Sequence, residues 1–269
     1  MIEPQAAKPE SLDLGEATVN KSLFKALRLL SAFSEDKADW SVSELSRHLG
    51  IGKSSVSTML SALAKAGLVR QSPMTRRYHL GLRCLELGYL ASSRLTLRDY
   101  AYPHLEALLG GNNRIVYMAV PYQYDVLYLE ALYPPRRRIN YSSQGKRAPM
   151  YCTGIGKAAL AFMPDAYQED YLRRVELKPL TPNTITEPAA LRRELERIRD
   201  QGFALDRQER DIGIRCVAAP VRSADRRLIA SISISGASTE IIEEDFPVLA
   251  SEVMQAALEI SRKLISTGY

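Results

Sequence analysis

Apolar residues at helical spacing recur three times near the start of the chain, over residues 22–33, 42–49 and 54–63. Each stretch carries a leucine, valine or other apolar residue every third or fourth position, which predicts three amphipathic helices. Ser41 and Ser43 can each cap the second helix, and Ser54 or Ser55 can open the third. Gly50 stands where a left-handed residue ends a helix. The pattern therefore predicts two helices joined by a tight turn, preceded by a third.

The pattern then shortens to two apolar runs, 68–70 and 78–80, on either side of a polar turn at 72–75. Gly67 ends the preceding helix, and the two runs predict paired strands. A helix, a turn and a helix followed by a hairpin is the order of a winged helix-turn-helix, which places its second helix in the major groove of DNA. An ordinary helical domain is the alternative that the two helices alone leave open.

The outward face of that second helix carries small hydroxyl side chains, and the hairpin carries arginines. Hydroxyl and guanidinium groups can bond to phosphates and base edges. The residues predicted to contact DNA are Lys53, Ser54, Ser55, Ser57, Thr58, Ser61, Arg70, Arg76 and Arg77.

Charge is concentrated in the same segment. Residues 19–83 hold eleven Lys and Arg against four Asp and Glu, while the whole chain of 269 residues has a formal net charge of +5. A surface that binds phosphate explains this asymmetry better than a solubility requirement does, although a run of charge by itself is usually a solvated face.

The second half mixes strand and helix patterns. Strands are predicted at 115–120, 126–131, 138–142, 202–206, 216–221 and 228–235, and helices at 99–109, 156–163, 166–174, 188–201 and 246–264. This order predicts an α+β domain whose antiparallel sheet is packed by helices. The expected division is a disordered tail over 1–18, a winged helix-turn-helix over 19–81, a linker helix over 82–98, and an effector-binding and oligomerisation domain over 99–269.

Several motifs, in this order and spacing, resemble the IclR family of bacterial transcriptional regulators. In the first half they are KALRLLSAF, VSELSRHLGIGKSSVSTMLSALAKAGLV and RRYHLG; in the second they are YCTGIGKAALAFMP, the stretch from GFALD to RCVAAPV, and SISISG. The resemblance covers nearly everything after residue 18. It implies a GAF/PAS-like effector domain, a homodimer or dimer of dimers, double-stranded operator DNA as a partner, and a small organic or aromatic acid as effector that controls catabolic genes.

The resemblance also implies an effector site. Its matching positions are Gly154, Ile155, Asp206, Cys216, Ser233 and Ser235. The chemistry is reasonable, because amide groups at a helix start can hold a carboxylate and two serines two positions apart share one face of a strand. Each residue also has a plainer interpretation, such as a buried cysteine or a capping aspartate.

Two departures from the family pattern matter. The wing lacks the usual glycine and has Thr75, Arg76 and Arg77 instead. On the recognition helix, Ser57 and Thr58 stand where larger groups are common, so base readout would depend on the wing or on DNA shape.

Near the expected pocket, apolar and phenolic side chains favour an aromatic or moderately bulky acid. They are Tyr117, Met118, Tyr128, Tyr141 and Met150.

Other function classes find less support. Three cysteines and three histidines show neither metal-ligand spacing nor an acid–base arrangement, so we expect no metal, no cofactor and no enzyme activity. An architectural DNA-binding protein without a ligand is the remaining alternative. No apolar run is long enough to cross a membrane, no signal peptide opens the chain, and few cysteines fit a reduced, cytoplasmic compartment.

Overall fold

A computed structural model describes residues 20–34, 36–93, 95–110, 113–134 and 143–267. The chain divides into two compact units with a boundary between Leu95 and Thr96. The fold class is α+β, as the sequence predicts. The strand expected at 138–142 and the tail over 1–18 lie outside the described residues.

The first unit contains four helices and a small sheet in its described part. The helices are α1 (Lys21–Ser31), α2 (Val42–Leu49), α3 (Lys53–Lys65) and α4 (Leu82–Ser92). The strands are β1 (Asp39–Trp40), β2 (Val69–Gln71) and β3 (Tyr78–Leu80), in the order β1-β3-β2 with antiparallel pairing. The inward residues predicted for α2 and α3 are buried, among them Leu45, Val56 and Leu60. In α1 the prediction is wrong in part, because Leu23 and Leu27 are exposed and Leu29 is the buried residue. Trp40 of β1 joins this core.

The cap of α2 is more complete than expected. Ser41 Oγ accepts a hydrogen bond from the amide of Glu44, and the Glu44 carboxylate accepts one from the amide of Ser41. The two bonds form a reciprocal capping box. Ser43 lies inside the helix and is not the cap. Gly50 ends α2 in the left-handed region, as predicted. Helix α3 begins at Lys53, one residue before Ser54 and two before Ser55, and its N-cap residue Gly52 offers no side-chain cap.

The single linker helix expected over 82–98 is divided. Helix α4 ends at Ser92, and α5 (Thr96–Leu109) begins in the second unit. Ser92 and Ser93 turn their hydroxyls back to the carbonyls of Tyr89 and Leu90. Such local bonds compete with helix propagation, which explains why the helix stops here.

The second unit is built around one six-stranded antiparallel sheet. Its strands are β4 (Ile115–Tyr122), β5 (Asp125–Leu132), β6 (Arg147–Pro149), β7 (Ala204–Arg207), β8 (Ile214–Arg222) and β9 (Leu228–Ala237), in the order β6-β5-β4-β9-β8-β7. The remaining helices are α6 (Gly154–Leu160), α7 (Asp165–Arg174), α8 (Pro188–Gln201) and α9 (Phe246–Ser266), with a 3₁₀ turn at Glu243–Asp245.

Each face of this sheet has its own core. Side chains on one face pack against α5 and α9, and those on the other face pack against α6, α7 and α8. Met118 belongs to the α5/α9 face, so the expectation that it lines the pocket on the α6 face is wrong. Tyr117, Tyr128 and Met150 do face the α6 side, and Tyr141 lies outside the described residues. Strand β4 is apolar on both faces, so alternation alone does not show which set faces α6.

Candidate functional site

The exposed face of α3 carries the residues expected to contact DNA. Lys53, Ser54, Ser55, Ser57, Thr58 and Ser61 are all exposed, while Val56 and Leu60 on the opposite face are fully buried. The thirteen residues of α3 span about 20 Å at 1.5 Å per residue. The helix thus presents a hydrophilic face of small side chains along its whole length.

The start of α3 has an open set of amide donors. Gly52 provides no side-chain hydrogen bond, and no acidic residue lies in the first turn, where Lys53 stands instead. A cation at a helix N-terminus opposes the helix dipole, and uncapped amides there favour an anion. The contrast with the fully capped α2 shows that this end of the motif is electrostatically suited to a phosphate.

The three wing arginines differ in what they contact. Arg70 and Arg76 are exposed. Arg77 instead bonds to Asp39 Oδ1 at 2.6 Å and to Glu44 Oε2 at 2.8 Å, which ties β3 to β1 and to the start of α2. The Arg77 guanidinium is thus engaged within the protein, a placement different from the free phosphate contact that the sequence suggests.

The wing turn has an unusual backbone at the position that lacks glycine. Arg76 has a φ of 57°, in the left-handed region that non-glycine residues seldom adopt. Gln71 Nε2 donates to the carbonyl of Arg76 at 2.9 Å, and the amide of Arg76 donates to the carbonyl of Ser72 at 3.0 Å. These bonds hold the turn, and Arg76 lies where the chain returns to β3.

In the second unit, the positions taken from the family resemblance come together on the α6 face of the sheet. Asp206 of β7 pairs directly with Cys216 of β8, and Cys216 pairs with Ser235 of β9. Ser233 lies one step along the same face, between Ala218 and Tyr117. All four side chains therefore point toward α6, in two adjacent rows across three strands.

Helix α6 closes over this row at Gly154. A Cβ atom added to Gly154 would lie 3.2 Å from Cβ of Cys216 and 3.5 Å from Cβ of Asp206. The absent side chain therefore lets the start of α6 approach the sheet. Ile155, the next residue, is buried in the α6 core. The structure brings all six candidate residues together.

Burial controls the ionisation of these groups. It raises the pKa of Asp206 to about 7, an effect opposed by the amide of Glu209, which donates to Asp206 Oδ1 at 2.8 Å. Burial also raises the pKa of the Cys216 thiol well above its usual range, and Sγ donates to Ser235 Oγ at 3.0 Å. Near neutral pH the site therefore holds a neutral thiol and a carboxyl group that can carry a proton.

Two further features of this face were not foreseen from the sequence. Ser231 lies on the same face of β9 as Ser233 and Ser235, and its fully buried hydroxyl has no hydrogen-bond partner among the described residues. Arg210 lies close enough that its positive charge lowers the pKa of Tyr128, Cys152 and Cys216, against the larger raising effect of burial. The alternation of serines in SISIS was a signal for Ser231, whereas nothing local marked Arg210.

Lys157 of α6 and Glu209 form a buried ion pair that was also not predicted from the sequence. Lys157, 1% exposed, bonds through Nζ to Glu209 and lies 3.4 Å from Oε1 of Glu194. Burial raises the pKa of Glu209, and the positive charge of Lys157 opposes that effect. The pair thus anchors the 206–209 segment to α6.

The described residues contain neither a metal-binding cluster nor a membrane-spanning helix. In this part of the chain, no group of three or more His, Cys, Asp or Glu residues could hold a metal ion. Across the same residues, no helix is long and apolar enough to pass through a membrane.

Comparisons with known proteins agree with this architecture. Residues 22–73 match the IclR helix-turn-helix domain, and residues 89–262 match the bacterial transcriptional regulator IclR C-terminal domain. The transcriptional regulator KipR of Bacillus subtilis is 31% identical over 91% of this chain and 97% of its own length.

Solved structures extend the similarity to the fold. The IclR protein of Thermotoga maritima is 33% identical, with a TM-score of 0.68, over 91% of this chain and 98% of that one. An IclR homologue from Microbacterium hydrocarbonoxydans, solved in complex with 4-hydroxybenzoate, shares the fold with a TM-score of 0.77 at 24% identity, over 91% and 100% of the two chains. The helix-turn-helix domain of the present chain implies DNA binding. The two family matches and the similarity to KipR show that this chain belongs to the IclR family of bacterial transcriptional regulators.

Proposed function

We propose that the protein is a ligand-responsive regulator that binds operator DNA through α3 and the wing and binds a small organic acid on the α6 face of the sheet. The observation that supports it most directly is the convergence of Gly154, Asp206, Cys216 and Ser235 at one place, remote in sequence from the DNA-binding motif. The chain divides between Leu95 and Thr96, inside the linker predicted over 82–98, and this agrees with one unit for DNA and one for the ligand.

On the DNA side, the face of α3 supplies the groove contacts and Lys53 and Arg76 supply phosphate contacts. Small exposed hydroxyl groups allow the helix backbone to lie close to base edges. Arg77 acts on DNA indirectly, by holding the wing against α2 through Asp39 and Glu44.

On the ligand side, a carboxylate fits the chemistry of the site. Protonated Asp206 can donate a hydrogen bond to a carboxylate, and Arg210 contributes positive charge. Tyr117 and Tyr128, whose ring centroids are 4.9 Å apart, offer an aromatic wall next to Ser233. The homologue that binds 4-hydroxybenzoate shows that the fold can accommodate an aromatic acid, which makes that compound the first to test.

Effector binding would change DNA affinity only as far as the acid binds the two conformations differently. Two copies of the helix-turn-helix, in a homodimer or a dimer of dimers, would read paired half-sites. Helix α4 offers the contact between copies, because none of its residues is buried and its apolar side chains are exposed.

A thermal-shift panel of aromatic and aliphatic carboxylic acids, beginning with 4-hydroxybenzoate, tests the ligand half of the proposal. An acid that binds the native state raises the melting temperature with concentration. Changing Ser233→Leu should abolish that shift and leave DNA affinity unchanged, whereas Ser223→Leu, on the exposed β8–β9 turn, should alter neither. If no acid stabilises the protein, or if Ser233→Leu responds like the parent, the site does not bind acids.

DNA binding is tested separately. Selection of genomic fragments by the full chain should recover sites with two related half-sites, and Lys53→Gln should weaken their binding. Recovery of DNA without any shared sequence would contradict operator recognition and favour an architectural role.

A further inference from the structure

A polar cleft lies at the β7 edge of the sheet. Its volume is about 350 Å³. Its charged lining residues are Lys157, Glu194, Arg197, Arg207, Glu209, Arg215 and Glu243. Asp206, Cys216, Ser233 and Ser235 are not among the lining residues, so the two sites are separate.

Half of the positive charge in this cleft is already neutralised. Lys157 is bonded to Glu209, and Arg197 holds Glu194 with both Nε and Nη2, at 2.7 to 2.9 Å. These four side chains form two short-range ion pairs. They leave neither a cation nor a carboxylate in excess.

The other two cations are not neutralised in this way. Arg207 and Arg215 lie directly opposite each other on β7 and β8. Their shared carboxylate is Glu243, which lies 4.0 Å from Nε of Arg207 and 3.6 Å from Nη2 of Arg215, too far for hydrogen bonds. Like charges at opposed positions of neighbouring strands destabilise a sheet unless something offsets them.

The two guanidinium groups are also held in position. Nη1 of Arg215 donates to the carbonyls of Ser238 and Ile241, at 3.4 and 3.1 Å, while its buried Nε has no hydrogen-bond partner among the described residues. The Arg207 guanidinium lies over the ring of Phe246 at 5.4 Å. Such preorganisation reduces the entropy lost when an anion is bound.

We propose that this cleft is a second ligand site, which binds a small oxyanion, either a carboxylate or a phosphate, between Arg207 and Arg215. Planar guanidinium groups recognise both kinds of oxyanion through paired N–H donors. The volume is at the lower end of the range for small-molecule sites, so a metabolite fits and a folded protein domain does not. Glu243, which is more than half exposed, is the group that such an anion would displace.

The site stands next to the segment that carries Asp206. Glu209, which lines the cleft, bonds through its side chain to Lys157 and through its amide to Asp206. Binding in the cleft can therefore be sensed at the effector site by one hydrogen bond. The existence of the cleft site does not depend on the function proposed for the effector site.

Calorimetric titration of the full chain with inorganic phosphate and with succinate, at pH 7.5 and constant ionic strength set with chloride, tests the proposal. Arg207→Gln should raise the Kd of the bound anion at least tenfold, and Glu243→Gln should lower it at least threefold because a competing carboxylate is removed. Arg192→Gln is the matched control, since Arg192 is exposed to a similar degree but pairs with Glu169 outside the cleft.

The outcomes separate the possible ligands. Saturable binding of phosphate but not succinate indicates a phosphorylated ligand, and the reverse indicates a carboxylate. Binding that persists in Ser233→Leu places the anion in the cleft and not at the effector site. The proposal would be overturned if neither phosphate nor succinate bound saturably. It would also be overturned if Arg207→Gln and Arg192→Gln changed the Kd equally, or if the Kd of Glu243→Gln were unchanged or higher.

Discussion

Asp206 and Glu209 are joined by one hydrogen bond, from the amide of Glu209 to Oδ1 of Asp206 at 2.8 Å, and both carboxyl groups are buried. Burial outweighs this bond and raises the pKa of Asp206 to about 7. The Asp206 carboxyl group therefore changes between its protonated and ionised forms close to neutral pH. Since the residue lies beside Cys216 in the candidate effector site, its charge bears directly on what can bind there.

The first prediction is that carboxylate binding weakens above pH 7. Below that pH, protonated Asp206 donates a hydrogen bond to the ligand, whereas ionised Asp206 repels it, so the Kd should rise by up to about tenfold for each further pH unit. Titrations with 4-hydroxybenzoate between pH 6 and 8.5 would measure this. Asp206→Asn should remove the dependence, and an identical pH profile in both proteins would contradict the assignment.

The first prediction has a counterpart in stability, because the same pKa determines how the free energy of unfolding varies with pH. The folded state keeps a proton on Asp206 that the unfolded chain has lost, so this residue lowers the free energy of unfolding as the pH rises from about 4 to about 7, with no further change above. Chemical denaturation across that range should therefore show a smaller fall in stability for Asp206→Asn than for the parent. A larger fall in the variant would mean that Asp206 is ionised when folded.

The DNA-binding half was predictable from the sequence because its signals are local. Helical periodicity, Gly50 and the short apolar runs each report on neighbouring residues, and the helices fall within a few residues of their predicted limits. Strands β1 and β6, of two and three residues, were missed because they are too short to show an alternating pattern and, unlike β2 and β3, do not flank a short turn.

The candidate effector site was predictable only through the family resemblance. Gly154, Asp206 and Cys216 are brought together by strand pairing and by the seating of α6, which no local pattern reports. Lys157 could not be paired with Glu209 for the same reason, since 52 positions separate them. A lysine within the apolar run GIGKAAL was the one available hint of a buried partner.

A second prediction concerns that buried pair. Lys157→Met leaves Glu209 buried without its cation, which should cost about 3–5 kcal/mol of unfolding free energy. The loss should be larger at pH 8 than at pH 5, because protonated Glu209 is less costly to bury. Denaturant titrations at both pH values would measure it. The double variant Lys157→Met with Glu209→Gln should regain part of the stability, and a double variant no more stable than Lys157→Met would contradict the pairing.

A third prediction separates backbone strain from phosphate contact at the wing. Glycine adopts the left-handed conformation of Arg76 readily, so Arg76→Gly should stabilise the fold by up to about 1 kcal/mol. The same change removes the proposed phosphate contact, so DNA affinity should fall and the slope of log K against log salt should decrease by about one. Arg76→Lys is the control that retains the charge and the slope. An unchanged slope in Arg76→Gly would show that Arg76 does not reach the DNA backbone.

A fourth prediction gives Arg77 the opposite signature. Arg77→Gln breaks the bonds to Asp39 and Glu44, so the melting temperature should fall and DNA affinity should weaken because the wing is less well held. The salt slope should stay as in the parent, since no phosphate contact is lost. A decrease of about one in the slope, with an unchanged melting temperature, would return Arg77 to the role first expected for it.

The last prediction concerns assembly through α4. Leu82, Leu85 and Tyr89 lie on one side of this helix, each at least 66% exposed, and together with the end of α3 they line an open groove. Exposed apolar patches of this kind mark interaction surfaces. If the proposed homodimer or dimer of dimers forms through this surface, Leu85→Lys should dissociate it, seen as a lower mass in sedimentation or light scattering. The variant should also weaken binding to paired half-sites more than to a single one. Leu180→Lys, at an exposed leucine in the second unit, should leave the mass unchanged. An assembly that survives Leu85→Lys would place the contact between copies elsewhere on the chain.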